Sequence, residues 1–358
     1  MFKLAVVQVS WRLFFILFFF SSASIAQTRF ELASANAAKL CASMKGKSSS
    51  VVVPFRPGGG FDVDARAFKP FLQRHSGMQV SVLNMPGASG VLAANAVAES
   101  RSDHLMILLS DPRFILMSSL QGVAGSDISA FMPLGSLGRE SAVWATQRRI
   151  DWHASRASRL TASSAGEMVS RIALPAAAMG LTISTISGYQ SSNETWLASL
   201  RGELDIVPLS QDSAQRMLKT EPSATVSLVL TSAPDPDFPG VPYLAGPGGI
   251  VDQLSRSLDI STRQKRMAMG SLAVQLANSN RFFFASLRLP LASKSCIVAA
   301  IDAALIDPER LATNSVRESD KVPQKLAEIE VQLAQIQREV SIHRTDLTEL
   351  IRNSAVQR

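Results

Sequence analysis

Val51-Val52-Val53-Pro54-Phe55-Arg56-Pro57-Gly58-Gly59-Gly60-Phe61-Asp62 opens on an apolar run and closes on three glycines ahead of a helix-like segment. Thirty residues on, Gln79-Val80-Ser81-Val82-Leu83 leads into Asn84-Met85-Pro86-Gly87-Ala88-Ser89-Gly90 and a second helix-like segment. Strand, glycine loop and helix start together make an anion site. Glycine lets backbone approach a ligand closely. The free amides of the first helical turn point outward, and the helix dipole favours negative charge there. Two such sites are placed to face one ligand from two sides.

Outward from these loops, strand and helix signals alternate: 51–55, 62–74, 79–83, 90–100 and 105–109. This is a βαβαβ pattern with short connections, which implies a mostly parallel sheet. Phe61, Ala65, Phe68 and Leu72 share one face of the first helix, and Asp62 reads as its N-cap. Pro70 frees the carbonyl of Arg66 and is expected to kink or end that helix. A Ser/Arg-rich stretch, Ala154 to Gly166, reads as the crossing into a second lobe. That lobe is expected to hold helices near 167–179 and 191–201, and strands near 181–187, 205–209 and 227–230. Pro234-Asp235-Pro236-Asp237-Phe238-Pro239-Gly240-Val241-Pro242 is incompatible with regular structure and reads as the return connection. The expected division is 45–150 for the first part of lobe 1, 151–245 for lobe 2, and 246–315 for the return to lobe 1.

The ends differ from this body. Residues 1–26 read as a secretory signal: Lys3 and Arg12, the apolar run Leu13 to Phe20, then Ser24-Ile25-Ala26 as a small-x-small cleavage site. An uncleaved N-terminal anchor is the alternative. Losing Lys3 and Arg12 takes the formal charge from +7 to +5. Those charges are scattered, with no long Lys/Arg run and only two Tyr, so nucleic-acid binding is not indicated and an anionic small ligand accounts for the balance. Cys41 and Cys296 are the only cysteines. An oxidising compartment permits a bridge between them, but the distance is not legible from sequence. At the C-terminus, Leu326, Ile329, Leu333, Ile336, Val340, His343, Leu347 and Leu350 follow 3-4 spacing within the extension 318–358. That is an a/d seam broken by His343, suited to a homo-oligomer through 326–350 or equally to an amphipathic helix packed on its own domain.

Catalytic signatures are missing. Gly46-Lys47-Ser48 ends like a phosphate-binding loop, but Cys41 stands at the first glycine position. Gly58 and Gly60 begin a dinucleotide fingerprint that Val63 breaks. His75, His104, His153 and His343 are too far apart for metal-ligand spacing. Asp62 and Asp64 read as a cap and a first-turn charge. No catalytic residue, metal or cofactor is expected.

These loops resemble a known family, the extracytoplasmic solute receptors of tripartite tricarboxylate transporters, also called Bug-type receptors. Val52 to Asp62 with Ala65-Arg66 is similar to the family's opening strand and first binding loop, and Asn84 to Gly90 to its second. Gly188-Tyr189-Gln190 through Leu200-Arg201-Gly202-Glu203-Leu204-Asp205 resembles its second-lobe motif, and the likeness extends over about 45–312. It departs at Phe61, where a small hydroxyl residue is usual, at His104 in place of glycine, and at 248–280, which reads as inserted with a polar helix of its own.

The resemblance implies an α/β, two-lobed periplasmic-binding-protein-like fold (type 2), here with a C-terminal heptad-patterned helix. It implies a periplasmic protein, not an enzyme, that captures a small carboxylate for a membrane permease of the tripartite tricarboxylate type or a sensor. The implied ligand-binding residues are Gly59, Gly60 and Asp62 in the first loop, Gly87, Ala88 and Ser89 in the second, and Ser163, Ser164, Tyr189 and Ser210 from the second lobe. Asp62 is expected to act through its cap or a water, since a bare carboxylate repels an anion. The alternative is a degenerate, non-transport receptor working as a protein-interaction module through its C-terminal coiled coil.

Overall fold

The computed structural model describes residues 11–100, 104–120, 122–123, 127–153, 157–160, 167–186, 189, 191–313 and 326–355. Helix α1 (Trp11–Leu40) precedes strand β1 (Ser48–Val53), helix α2 (Gly60–Ser76), β2 (Gln79–Asn84), α3 (Val91–Ala98) and β3 (Leu105–Ser110). The three strands are parallel in the order β2-β1-β3, with Val53 opposite Asn84 and Ser49 opposite Leu105. Val51, Val52 and Val53 are all fully buried. A strand covered on both faces reads as a continuous apolar run, as this one does.

Pro70 does not end α2, which runs on to Gly77 in the left-handed conformation. Interior proline costs a helix roughly 3 kcal/mol. Phe68, Phe71 and Leu72 are buried beside it. At about 1.5–3 kcal/mol per buried side chain, that packing outweighs the cost.

After α4 (Pro112–Leu120) the chain forms β4 (Phe131–Glu140) and, past Ser141 alone, β5 (Ala142–Thr146). β5 pairs antiparallel with β8 (Val207–Ser210) and β9 (Thr225–Val229), so the second sheet begins at Ala142. The Ser/Arg-rich stretch read as the crossing lies beyond that point. Gly135, Gly138 and Pro133 broke the strand signal in β4 and hid the earlier crossing. Between β5 and β9 lie β6 (Ala157–Leu160), a π-helical turn (Met168–Ala173) continuing into α5 (Leu174–Met179), β7 (Thr182–Thr185), α6 (Ser192–Leu200) and α7 (Gln211–Thr220). The second-lobe helices and strands thus fall close to where the sequence places them.

The proline-rich segment 234–242 is irregular, but it does not return the chain to the first lobe. Leu244 donates to the carbonyl of Val229 at 2.9 Å. Helices α8 (Ile250–Ser255) and α9 (Ile260–Ala277) then pack into the same core as Trp144, Ile172 and Leu228. The polar helix expected within 248–280 exists, and its buried stripe of Gly270, Leu272, Ala273 and Leu276 holds it to the second lobe. The return is β10 (Ser279–Ser286), antiparallel to both β3 and β4, which completes a five-stranded sheet of order β2-β1-β3-β10-β4. Helices α10 (Leu291–Leu305) and α11 (Pro308–Ala312) close the first lobe.

The two ends both dock on this body. Ala33 and Ala37 of α1 meet Ala299 and Ala303 of α10, small residues that let two helices approach closely. The sequence reading gave 27–40 no element because this face is alanine rather than a broad apolar stripe. Cys41 and Cys296 form a disulfide beside it. At the other end, α12 (Leu326–Ile342) and α13 (Arg344–Ala355) break at His343. Ile329 packs with Val52, Leu108, Phe282 and Phe284 of the first lobe, while Val340 and Leu347 enter the second-lobe core. These three seam positions are therefore covered by the protein's own lobes. Ile329, Ile336, Val340 and Leu347 are buried, whereas Leu326 at the start of the seam is 37% exposed. No helix among the described residues is long and apolar enough to cross a membrane.

Candidate functional site

A cleft between the lobes is lined by Phe55, Gly59, Gly60, Phe61, Phe114 and Arg281 on the first-lobe side. Glu167, Arg171, Ser191, Ser192, Ser210 and Ser213 line it from the second. Three helices begin here. α2 starts at Gly59, α6 is capped by Ser191, whose hydroxyl accepts from Glu194 N at 3.2 Å, and α7 is capped by Ser210. Helix starts carry unpaired amides and about half a positive charge each. Three of them from two lobes make an anion-attracting cavity.

Asp62 is not the N-cap the sequence implied. Gly59 caps α2, and Asp62 sits one turn in. Its Oδ2 accepts from the Gly58 amide at 2.9 Å and from Arg66 Nε at 2.9 Å. Arg66 also donates to Asn84, at 3.2 Å, and Asn84 donates to the carbonyl of Phe55 at 2.9 Å. Burial pushes the Asp62 carboxyl up, but the bonds from Arg66 and the Gly58 amide more than offset it and hold it below its ordinary value. Asp62 is a buried brace that shapes the loop. Gly60 needs its missing side chain: a Cβ there would lie 3.0 Å from Arg281 Nη2 and 3.3 Å from Ser213 Oγ.

The second loop does not face the first across the cavity. Val53 pairs with Asn84, so the two loops stand side by side at the ends of adjacent strands. Gly87, Ala88 and Ser89 are absent from the cavity lining. Ala88 and Ser89 take φ of 45° and 55°, in the left-handed region that L side chains avoid. Of the second-lobe candidates, Ser210 lines the cavity. Tyr189 instead donates its hydroxyl to Glu203, which raises the phenol's pKa, and its ring packs on the second-lobe core. Ser163 and Ser164 lie outside the described residues.

Sequence reasoning missed both cations of the cleft. Arg281 is only 1% exposed. It pairs with Asp64, reaches the Gly60 carbonyl and Ser210 Oγ at 3.4 Å each, and lies 5.1 Å from the Phe61 ring centroid. Arg171 pairs with Glu167 at 3.3 Å, and Trp144 Nε1 donates to its carbonyl at 2.7 Å. A lone arginine ahead of Phe282-Phe283-Phe284 was the available signal, since a charge is rarely buried in a strand unless paired. Ser191 also had one, the Ser-x-x-Glu capping pattern with Glu194. Phe61, where the resembled family usually has a small hydroxyl residue, packs against Phe55 and Phe114 at 5.2 Å and 6.1 Å between ring centroids. The open space within the cleft is about 40 Å³. Arg56 with Glu194 at 3.2 Å, and Asn193 with the Gly58 carbonyl at 3.3 Å, join the lobes at the rim.

Comparison with known proteins bears on this geometry. No family model matches the chain. Protein BugT of Bordetella pertussis (strain Tohama I) is 32% identical over 103 residues, 28% of this chain and 32% of that protein, so the match spans about a third of the curated relative's length. The periplasmic binding protein BugD superposes at a TM-score of 0.62, with 18% identity, over 87% of this chain and 98% of BugD. MatC from Rhodopseudomonas palustris, solved with bound malate, superposes at 0.59, with 19% identity, over 85% of this chain and 99% of MatC. The two-lobed α/β fold is that of the periplasmic binding proteins. Within that class, the resemblance to the Bug-type receptors read from the two loops is borne out by BugT in sequence and by BugD and MatC in fold.

Proposed function

We propose that the protein is an extracytoplasmic solute receptor, and not an enzyme, that closes two lobes on a small carboxylate and presents it to a permease of the tripartite tricarboxylate type or to a sensor. One observation carries this reading: three helix N-termini, at Gly59, Ser191 and Ser210, converge from both lobes on one cleft. Backbone amides and serine hydroxyls are the groups that hold a carboxylate. MatC was solved with malate bound, and BugD is a periplasmic binding protein, which supports the ligand class and a periplasmic location. The signal read at 1–26 is the proposed route there. The test is thermal unfolding of the exported protein against organic acids, amino acids and nucleotides. A ligand at 100 times its dissociation constant adds about 2.7 kcal/mol. A midpoint raised by one class of carboxylate supports the reading, and a rise with nucleotides alone contradicts it.

A second reading is favoured by one feature. Arg281, paired with Asp64, lines the cleft, as in a receptor that has lost its ligand and acts through protein contacts. The C-terminal seam offers that reading few free positions, because Ile329, Val340 and Leu347 are buried within the chain.

A further inference from the structure

The lobes are joined covalently at two places that lie side by side. β4 runs into β5 through Ser141, and α9 into β10 through Asn278, with Ser279 opposite Glu140. A few residues at element ends are enough for two lobes to swing about such crossings. Helix α12 adds a third link beside them, packed along β4 and α4. Its first half belongs to the first lobe, where Ile329 is buried among Val52, Leu108, Phe282 and Phe284 and Leu333 packs on the same cluster. Its last turn belongs to the second lobe, where Val340 is buried in one core with Trp144, Val169 and Ile172. Between Ile329 and Val340 there is neither glycine nor proline. At 1.5 Å per residue this is a stiff span of about 16 Å. α4 alongside spans the same two cores over a shorter distance, with Ile115 in the first and Met117 in the second.

The link also reaches the cleft. The chain bends at His343 without losing its backbone bonds: His343 N donates to the Glu339 carbonyl at 3.1 Å, and Leu347 N to that of His343 at 2.9 Å. α13 then packs against the π-helical turn Met168–Ala173. Val169 and Ile172 of that turn are buried in the core that Leu347 enters, while Arg171 lines the cleft.

We propose that α12 is a strut that sets the spacing of the two lobes and, through α13, the place of the cleft-facing turn. Swinging the lobes apart draws Ile329 or Val340 out of its core, which exposes apolar surface. The other route is to kink α12, and kinks arise at proline, at glycine or where a group enters the hydrogen-bond ladder. The strut therefore favours the arrangement in which Arg56 meets Glu194, and Asn193 meets the Gly58 carbonyl, across the rim. Ile329 and Val340 are positioning residues, since neither lines the cleft and both act through lobe spacing. The consequence for affinity rests on the receptor reading, and the effect on lobe spacing does not.

The test softens α12 between its anchors and leaves the anchors in place. Ala334 and Gln335 are exposed there. Gln335→Pro breaks the helix ladder, Ala334→Gly with Gln335→Gly loosens it without a clash, and Gln335→Ala is the control. Small-angle X-ray scattering of the full exported protein, with no ligand added, reads lobe spacing. Calorimetry with malate reads affinity, and circular dichroism checks folding. Gln335→Ala should match wild type in both. The proline and double-glycine variants should show a larger radius of gyration and bind malate about tenfold more weakly, as when the closed fraction falls to about a tenth. If the proline variant fails to fold, the double-glycine variant decides. An unchanged radius of gyration in the folded variants overturns the strut. So does unchanged malate affinity where wild type binds malate. An enlarged radius in a protein that binds no malate even as wild type supports the strut and counts against the receptor reading.

Discussion

Gly58-Gly59-Gly60 and Gly87-Ala88-Ser89-Gly90 end two adjacent strands, and each precedes a helix. The first enters α2, a helix of 17 residues, with its backbone drawn into shape by Asp62 and its glycines turned to the opposite lobe. The second passes through a kink with three successive left-handed residues, Ala88, Ser89 and Gly90, into a helix of only 8 residues. Only the first lines the cleft. Loop sequence therefore fixes a local shape and leaves the task to whatever stands across from it. Opposite the first loop stand Ser191, Ser210 and Ser213. Asn84 links the pair, because it begins the second loop and holds the carbonyl of Phe55 before the first.

Substitutions sharpen that contrast. Gly60→Val is expected to have the largest effect, because its side chain meets Arg281 and Ser213. Carboxylate affinity should fall at least about a hundredfold by calorimetry, roughly 2.7 kcal/mol. Gly87→Val should do the opposite: its Cβ meets Leu92 Cδ1 at 2.6 Å with φ at 136°. Stability should drop by about 2 kcal/mol in denaturant titration, with affinity unchanged in the folded protein. Equal loss of affinity in both variants would break the comparison.

Asp62→Asn should cost about 1.5 kcal/mol, as expected when a buried carboxylate loses charged hydrogen bonds. Its pH dependence follows from the lowered carboxyl. A folded value below the unfolded one stabilises above about pH 4 and is lost as pH falls through the folded value. The stability gap between wild type and Asp62→Asn should be flat from about pH 5 to pH 8 and close in acid. The smallest effect belongs to Ser89→Gly, which relieves a left-handed φ of 55°. It should raise stability by about 1 kcal/mol in thermal melts and leave ligand affinity alone.

The parallel part of the first sheet and the order of second-lobe elements were legible because each strand is a short apolar run bounded by turn residues. The glycine loop that places Gly59 and Gly60 at a helix start was legible for the same local reason, whereas Ser210 came only from the resemblance. What escaped is non-local. The crossing at Ser141 hides in glycine- and proline-broken β4, and α9 shows its allegiance only through contact with Trp144 and Ile172. Arg281 and Asp64 lie far apart in sequence, and only the antiparallel return of β10 beside β3 brings them together. The heptad spacing left a coiled coil and a helix packed on its own domain equally open, because periodicity cannot tell an internal partner from a second chain.

Hydrogen exchange of the full protein with and without malate tests the central claim most directly. If the ligand sits between helix starts of two lobes, protection should appear together at amides 59–62, 192–194 and 211–213, with 85–90 unchanged. Protection confined to one lobe, or centred on 85–90, would contradict the account.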